Sequence, residues 1–386
     1  MNRRQFIAAP AAAGCAFAPP HLRAQPFART RWVVRGSEGF DALSFLGPLS
    51  GDPFYARYYE QEAAAFAVRM PAAAMSAIRE LKARAAAANI LVSPFLDLRF
   101  SAGPDRSIAD LIDSLDHAES VLRPPFQASP YWGEDGEADW RAFMSASPQI
   151  RAILASMQEA GFGEFRASLF EPKAAVRFPG LRDRLRDFDV VAEVERFTGR
   201  SLDPTVEVVL LEFCKPHGVK VIGQRFLSAI DWNDDVVIRT AGHELLHPPV
   251  DLDGPAAQAA LAVLRRDPLL ARIVAEHDPA FGYTSLRGLF DEDLASAVDQ
   301  IIADRLGTAR DPHARWNDVD DGMHVLSAAF YTLMRRSGHA SAGGDLEAWL
   351  ADAVRRGWLE PAVLHAAAAD LLGRPAEALW PLPAAA

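Results

Sequence analysis

Residues 205–247 decide the fold of the C-terminal half of this chain. They read TVEVVLLEFC (205–214), KPHG (215–218), VKVIGQRFLSAI (219–230) and DWNDDVVIRTAGHELLH (231–247). The first and third segments are rich in branched and aromatic residues, which predicts strands, and the tetrapeptide between them predicts a tight connection. Residues 231–234 supply helix-capping side chains, so a helix is predicted from about Asp235 to His247. The stretch therefore predicts a small sheet followed directly by a helix.

The remaining sequence is read as mainly helical. Beyond Pro248 and Pro249 the pattern stays helical almost to the end of the chain. Before residue 200 we expect these elements: a short strand at 29–35, two helices in 52–88 interrupted by Pro71, an edge strand at 90–100, a helix at 107–122 capped by Ser107, a loop at 123–137 and helices over 138–198. The predicted fold class is α+β, predominantly helical, with a mainly helical region at 25–200 and a second region at 201–386.

Composition limits the classes of protein that fit. The 386 residues are 50% hydrophobic and 24% charged, which excludes collagen, a disordered tail and a disulfide-stapled miniprotein. A net charge of −11 argues against a general affinity for nucleic acid or for anionic lipid. No segment is apolar and long enough to span a bilayer, so no transmembrane segment and a soluble mature protein are expected.

The N-terminus has the pattern of an export signal at residues 1–24. Arg3 and Arg4 are followed by an Ala-rich apolar stretch to about Ala18 and by a small-residue exit at Ala24. The Arg-Arg-x-Phe-Ile run resembles the twin-arginine signal, which implies an exported protein, periplasmic or secreted. A frayed Ala-rich helix is the alternative interpretation. Residues 12–15 also resemble a lipoprotein cleavage box, which gives the less favoured prediction of a lipid anchor at Cys15.

Cysteine usage gives a second prediction for the mature protein. Cleavage after Ala24 removes Cys15 and leaves Cys214 alone, so no internal disulfide can form. Cys214 lies in an apolar run, which favours an inert thiol in the core.

The segment His243-Glu244-Leu245-Leu246-His247 matches the H-E-x-x-H motif. On a helix, the i, i+4 spacing puts both imidazoles on one face, where they can share one ion. Glu244 lies beside them, close enough to reach a metal-bound water without being a ligand. Catalytic zinc takes three protein ligands and keeps one position open. The motif therefore predicts a Zn²⁺ site, while two histidines and a glutamate on a solvated helix face are the alternative.

Strands followed by a capped helix with this motif resemble the zincin metallopeptidases, and the resemblance covers about residues 205–294. It implies hydrolysis of peptide bonds, with His243 and His247 as zinc ligands and Glu244 as general base. It also implies a substrate-binding edge strand formed by Gln224, Arg225, Phe226, Leu227 and Ser228. Pro248 departs from the family pattern, since it requires the helix to end abruptly at His247.

The third ligand has two candidates. In the gluzincin arrangement a later helix supplies a glutamate, which here is Glu292, 45 residues after His247. Ser296 stands where some family members place a supporting Asp, so Asp299 is the guess for that role. The rival is Asp253, ten residues after His243 as in metzincin-like enzymes, although Val250 stands where that pattern needs a Gly.

An oxyanion donor would complete such a site. Tyr283, His324 and Tyr331 lie in the correct half of the chain and are the candidates. The function expected from the sequence is an exported zinc-dependent metallopeptidase that acts on a peptide or protein substrate. Two alternatives stay open: a catalytically silent zincin relative that binds a partner, and a helical exported protein in which the motif occurs by chance. The sequence leaves the cleavage specificity and the oligomeric state open.

Overall fold

The computed structural model describes residues 29–88, 90–133, 136–216, 218–278, 281 and 283–381. Over these residues the chain is a predominantly helical α+β protein with a four-stranded sheet, which confirms the predicted fold class. The predicted export signal at 1–24, with Cys15, lies outside the described residues.

The strands are β1 (Arg31–Gly36), β2 (Thr205–Leu211), β3 (Val219–Val221) and β4 (Arg225–Ala229). Their order in the sheet is β1-β2-β4-β3. Strand β2 pairs in parallel with β1 on one side and with β4 on the other, and β3 pairs antiparallel to β4. The strands predicted at 29–35 and 205–214 are therefore confirmed, whereas the segment 219–230, predicted as one strand, forms the two strands β3 and β4 with a turn at 222–224 between them.

The predicted edge strand is wrong in its position. Residues Arg225, Phe226, Leu227 and Ser228 belong to β4, which lies between β2 and β3 in the interior of the sheet, and Gln224 directly precedes it. The physical reason is burial: Phe226 and Leu227 point to opposite faces and are both buried, which suits a central strand. The strand at this edge of the sheet is β3.

Helices surround the sheet. Those preceding β2 are α1 (Glu38–Leu49), α2 (Pro53–Ala67), α3 (Ala72–Ala87), α4 (Val92–Phe100), α5 (Ile108–Asp116), α6 (Ala118–Val121), α7 (Arg123–Gln127), α8 (Gly136–Glu159), α9 (Phe162–Leu185) and α10 (Val190–Thr198). Those following β4 are α11 (Asp234–Glu244), α12 (Pro255–Leu264), α13 (Pro268–Glu276), α14 (Leu286–Leu306), α15 (Pro312–Asp318), α16 (Val325–Ser337), α17 (His339–Ala342), α18 (Leu346–Arg355) and α19 (Pro361–Leu372).

Local signals explain several of these boundaries. Pro71 directly precedes α3, as the predicted interruption requires. Ser107 caps α5 and forms a capping box with Asp110, because each side chain accepts a hydrogen bond from the other residue's backbone N–H. The predicted helices at 52–88, at 107–122 and over 138–198 are confirmed.

Two predictions in this half are corrected. The predicted strand at 90–100 is instead the helix α4 from Val92 onward. Leu96 and Phe100 lie one turn apart and are buried, and the Ser93 hydroxyl donates to the Leu43 carbonyl of α1. Pro94 is tolerated there, since the first-turn N–H groups have no partner within a helix. The predicted loop at 123–137 begins with the short helix α7.

The sheet separates two hydrophobic cores. Alternation along β2 sends Val208 and Leu210 into the core built with α9–α19, and Val209 and Leu211 into the core built with α1–α8. Helix α10 and most of α9 belong to the first of these cores although they precede residue 201, while Phe162 and Phe165 at the start of α9 belong to the second. The predicted division at residue 200 stays a prediction, and the two cores do not follow it.

Cys214 lies in the core with α1–α8, where it is buried, and burial raises the pKa of its thiol well above the ordinary value. This agrees with the predicted inert thiol. Across the described ranges, no helix combines the length and the apolarity that crossing a bilayer requires.

Candidate metal centre

Helix α11 carries the first half of the site. The side chain of Asn233 accepts a hydrogen bond from Val236 N at 2.9 Å and so begins the helix, and two aspartates in the first turn complement its dipole. Val237, Ile238 and Ala241 are buried in the core. This burial fixes the rotation of the helix about its axis and directs His243 toward α14.

Helix α11 ends at Glu244, so the predicted helix to His247 is three residues too long. Leu246 N bonds to the His243 carbonyl at 2.9 Å and tightens the chain into a turn, and His247 lies after that turn. Pro248 explains the early end, because it disfavours helical geometry in the residue before it. The two imidazoles still meet, with 2.9 Å between their Nε2 atoms and 4.6 Å between ring centroids.

Helix α14 carries the second half. Ser285 caps it by accepting a hydrogen bond from Gly288 N at 3.1 Å. Glu292, Ser296 and Asp299 follow at i, i+4 and i+7, which places them on one face. That face is turned to α11, and all three residues line the same cavity as His243.

His243, His247 and Glu292 form a triad of potential metal ligands, with their ligand atoms within 4.8 Å of one another. Glu292 Oε1 lies 3.4 Å from His243 Nε2, and Glu292 Oε2 lies 3.7 Å from His247 Nε2. Ligand atoms about 2.1 Å from a tetrahedral zinc ion are roughly 3.4 Å apart. The separations of 2.9, 3.4 and 3.7 Å, of which the last two go to different oxygens of Glu292, lie near that value, so these residues could hold a single ion.

The rival third ligand is not part of this cluster. Asp253 has a side chain that is 82% exposed and forms an ion pair with Arg287 at 2.8 Å. The chain after His247 passes through Pro248 and Pro249 without the glycine turn that would fold it back. The prediction of Asp253 as a ligand is therefore wrong, and Glu292 is the acidic residue that reaches both imidazoles.

The Nδ1 atom of each imidazole lies near a carboxylate. His243 Nδ1 donates to Asp299 Oδ2 at 2.7 Å, so that in the neutral form of the ring, the form that binds a metal ion, Nε2 carries the free lone pair. His247 Nδ1 lies 3.6 Å from Asp291 Oδ1, a buried oxygen without a hydrogen-bond partner among the described residues. The structure thus brings Asp299, the guess for the supporting role, to His243.

Arg315 holds Asp299 in turn. Its guanidinium Nη2 donates to Asp299 Oδ2 and to Ser296 Oγ, each at 2.9 Å. Burial works against ionisation of Asp299, but the charge and hydrogen bonds of Arg315, together with His243, lower the pKa of Asp299 to about 2. A permanently ionised acceptor therefore orients the His243 ring.

Glu244 is buried beside the triad. Burial raises the pKa of its carboxyl above the ordinary value, against the opposing charges of His243, His247 and Lys220. Lys220 Nζ donates to the backbone carbonyl of Glu244 at 2.6 Å, so it also binds the C-terminal end of α11. A carboxyl group with a raised pKa next to a metal site suits proton transfer.

Two cavities meet at the triad. The first, about 370 Å³, we call the arginine cavity, since Arg239, Arg310 and Arg315 line it. The second, about 300 Å³, we call the lysine cavity, since Lys220 lines it. The two cavities share four lining residues, namely Gly218, His243, Glu244 and Glu292.

Gly218 lines both cavities and lies close to helix α11. A Cβ at this position would lie 2.7 Å from the Thr240 side chain of α11. Only glycine therefore fits between the start of β3 and helix α11 without a shift of the backbone or of Thr240.

The three predicted oxyanion donors have different positions. Tyr283 lines the lysine cavity, and burial together with the nearby Glu292 raises the pKa of its hydroxyl well above the ordinary value. His324 lines the arginine cavity, with Nδ1 on Asp293 at 2.6 Å and Nε2 on Asp320 at 3.1 Å. Burial opposes its protonation, but Asp293 and Asp320 raise the pKa of His324 to about 10.

Tyr331 is wrong as an oxyanion donor. Its hydroxyl donates to Asp304 at 2.7 Å, and it lines a separate cavity with Asp304 and Arg335. Asp304 lies more than a turn beyond Asp299 on α14, away from the face that carries the candidate ligands. Its hydrogen bond with Tyr331 therefore holds the tyrosine away from the triad.

Sequence reasoning missed Arg315, Lys220, Asp291 and Tyr131. The hydroxyl of Tyr131 is buried without a hydrogen-bond partner among the described residues, and burial raises its pKa with a further contribution from Glu244 and Asp291. Asp291 could have been found from its position next to Glu292. The other three come from distant elements, and no spacing in the sequence connects them to the motif.

Comparisons with models of protein families, with curated proteins and with solved structures found no match to this chain. The class of the site therefore follows from its residues and their geometry alone: two imidazoles and one carboxylate around a common point, with a buried carboxyl group beside them.

Proposed function

We propose that this protein is a zinc-dependent hydrolase of peptide bonds. The observation that carries the proposal is the convergence of His243, His247 and Glu292 on one point, with the buried Glu244 lining both cavities that meet there. Two histidines and a glutamate with an open side are a ligand set of catalytic zinc.

The same donor set also suits iron(II). Glu244 favours hydrolysis, since a buried carboxyl group that faces the triad without belonging to it is the base that activation of water requires. When bound, Zn²⁺ lowers the pKa of a coordinated water to about 7 and polarises a carbonyl group.

The residues of the chain have distinct roles in the proposed reaction. Glu244 accepts the proton of the attacking water and passes it to the nitrogen of the leaving amine. Asp299 and Arg315 hold the His243 ring in orientation. Tyr283, directed into the lysine cavity, is the remaining tyrosine of the predicted oxyanion donors and would donate its hydroxyl to the developing negative charge.

A peptide substrate has a strand to pair with in this arrangement. Strand β3 lies at the edge of the sheet and Lys220, at its centre, lines the lysine cavity. We propose that an extended peptide adds to β3, in place of the segment 224–228 expected from the sequence.

The proposed place of action is outside the cytoplasm. This part of the proposal rests on the sequence of residues 1–24 alone. Fractionation of cells that express the full chain tests it: replacement of Arg3 and Arg4 by Lys is expected to retain the protein in the cytoplasm. An unchanged distribution would contradict the twin-arginine signal.

Metal analysis is the first test of the site. Protein purified without chelator is expected to contain close to one zinc per chain, and His243→Ala is expected to lose it. His313→Ala, a histidine on α15 outside the triad, is the matched control. A wild-type protein without metal would contradict the proposal and favour the helical protein with a chance motif.

Turnover is the second test. Zinc-loaded protein is incubated with a defined mixture of peptides and the products are identified by mass spectrometry. Glu244→Gln is expected to keep the zinc and to lower turnover by about 10²–10⁴-fold. If the wild type holds zinc but cleaves none of the peptides, the catalytically silent relative is the better interpretation.

A further inference from the structure

The arginine cavity contains two cations that the proposed reaction does not use. We propose that Arg239 and Arg310 form a binding site for a carboxylate of the substrate, so that the enzyme selects peptides with an acidic side chain or a free C-terminal carboxylate next to the cleaved bond. This inference rests on the proposed function, because it assigns a substrate class to the same site.

Arg239 belongs to helix α11, which also carries His243. It lies four residues before His243 on α11, so both side chains belong to the same face and line the same cavity. Its Nη1 donates to the Thr308 carbonyl at 2.6 Å, which anchors one side of the guanidinium. No carboxylate among the described residues forms an ion pair with it.

Arg310 approaches from the connection between α14 and α15. Gln300 Nε2 donates to its backbone carbonyl at 2.8 Å, which fixes the connection on α14. Its guanidinium has no hydrogen bond or ion pair with the described residues. Burial, followed by the nearby charges of Arg315 and Arg239, lowers the pKa of Arg310 to about 10, so it stays a cation at neutral pH.

The carboxylates that line this cavity are already engaged by other cations. Asp299 is bound by Arg315 and His243, Asp320 accepts from His324, and Glu292 contacts the two imidazoles of the triad. Glu244 is buried between the triad and Lys220. After these pairings, the positive charges of Arg239 and Arg310 remain without a partner carboxylate.

A carboxylate is the group that suits this arrangement. Guanidinium groups bind carboxylates through two parallel hydrogen bonds, and two neighbouring cations on one wall repel each other until an anion lies between them. The remaining wall is apolar, with Trp232, Val236 and Val319, and it can contact the methylene groups that carry the carboxylate. Glu244 and His243 line the cavity, so we place the bound carboxylate on a residue next to the cleaved bond.

Binding provides the first test. Zinc-loaded Glu244→Gln protein is titrated with fluorescein-labelled peptides in matched pairs, Glu against Gln at one internal position and free acid against amide at the C-terminus. We expect one acidic member to bind about tenfold more tightly or better than its neutral partner. The pair that discriminates identifies the source of the carboxylate.

Variants of the arginines connect this preference to the cavity. In the same Glu244→Gln background, Arg239→Gln with Arg310→Gln is expected to remove the preference. Arg310→Lys, which keeps the charge, is expected to retain most of it, and Arg336→Gln, a surface arginine paired with Asp370, is the neutral control. Circular dichroism checks the fold of each variant. Equal binding of acidic and neutral peptides by the parent protein, or a preference that survives in the folded double variant, would overturn the proposal.

Cleavage distinguishes the two proposals from each other. In the otherwise wild-type enzyme, the acidic peptide is expected to have a kcat/KM about tenfold above its neutral partner, with the difference lost in the double variant. If no peptide is cleaved but the arginine-dependent binding preference persists, the carboxylate site stands and the proposed hydrolysis fails. If cleavage occurs without any preference for acid, the reverse holds.

Discussion

His243 Nδ1 donates to Asp299 Oδ2 at 2.7 Å and thereby joins helix α11 to helix α14 behind the metal triad. The bond fixes which nitrogen of His243 faces Glu292 and His247. Arg315 keeps Asp299 ionised, so the orientation of the ring depends on residues from three separate helices.

Replacing Asp299 by Asn is expected to weaken zinc binding by about 10–100-fold, because the amide is a weaker acceptor for His243 and leaves the buried Arg315 without its counter-charge. Competition with a fluorescent zinc chelator measures the affinity. Asp304→Asn is the matched control, since Asp304 lies on the same helix and accepts from Tyr331. Equal losses in both variants would show that the effect is a general weakening of α14.

The identity of the third ligand is tested by Glu292→Gln. Loss of the carboxylate that reaches both imidazoles is expected to reduce bound zinc well below one per chain, whereas Asp253→Asn is expected to leave it unchanged. Atomic absorption after gel filtration gives the stoichiometry. Zinc that persists in the first variant and disappears in the second would reverse the assignment.

Lys220 is expected to stabilise the C-terminal end of helix α11. Lys220→Met removes a charged donor to the Glu244 carbonyl, but it also removes a cation whose pKa is lowered to about 8 by burial. The two effects partly offset each other, so the free energy of unfolding in urea titrations should fall by only about 1 kcal/mol. Lys82→Met is the control, because Lys82 forms its ion pair with Asp52 near the surface, where such pairs contribute little. A stability equal to or above that of the wild type would contradict a stabilising role of Lys220.

The buried carboxyl group of Asp41 is expected to make the stability of the fold depend on pH, independently of any bound metal. Burial raises the pKa of its carboxyl to about 6, against the charge of Arg166 at 2.8 Å and the hydrogen bond from Phe213 N at 3.0 Å. Because the folded protein holds this proton more tightly than the unfolded chain, the stabilisation is complete below about pH 4 and is lost as the pH rises through 6. Its size is on the order of 3 kcal/mol at about 1.4 kcal/mol per pH unit.

Urea titrations between pH 4 and pH 7 measure this effect. The loss of stability over that range is expected to be smaller in Asp41→Asn than in the wild type, while Asp183→Asn, an exposed aspartate, should follow the wild type. Identical pH profiles for Asp41→Asn and the wild type would show that Asp41 ionises normally in the folded state.

Residues 90–100 show where sequence patterns fail. Their branched and aromatic residues favour a strand, but the burial of Leu96 and Phe100 against α1 stabilises a helix, since side-chain packing decides such short apolar segments. The same holds for residues 224–228, whose position in the middle of the sheet depends on pairing with β2, a partner that no local pattern specifies.

The sequence by itself determined the predominantly helical α+β class, the strands around Thr205–Ala229 and the capped helix with His243 and Glu244. These features depend on periodicity, caps and short spacings, which act within a few residues. Only the tertiary structure placed Glu292, and not Asp253, beside the two imidazoles, ended α11 at Glu244, placed Asp299 and Arg315 next to His243, and brought Arg239 and Arg310 into one cavity. Those outcomes depend on how α11 and α14 are buried against each other and against the sheet, and burial of this kind brings together residues that are far apart in the chain.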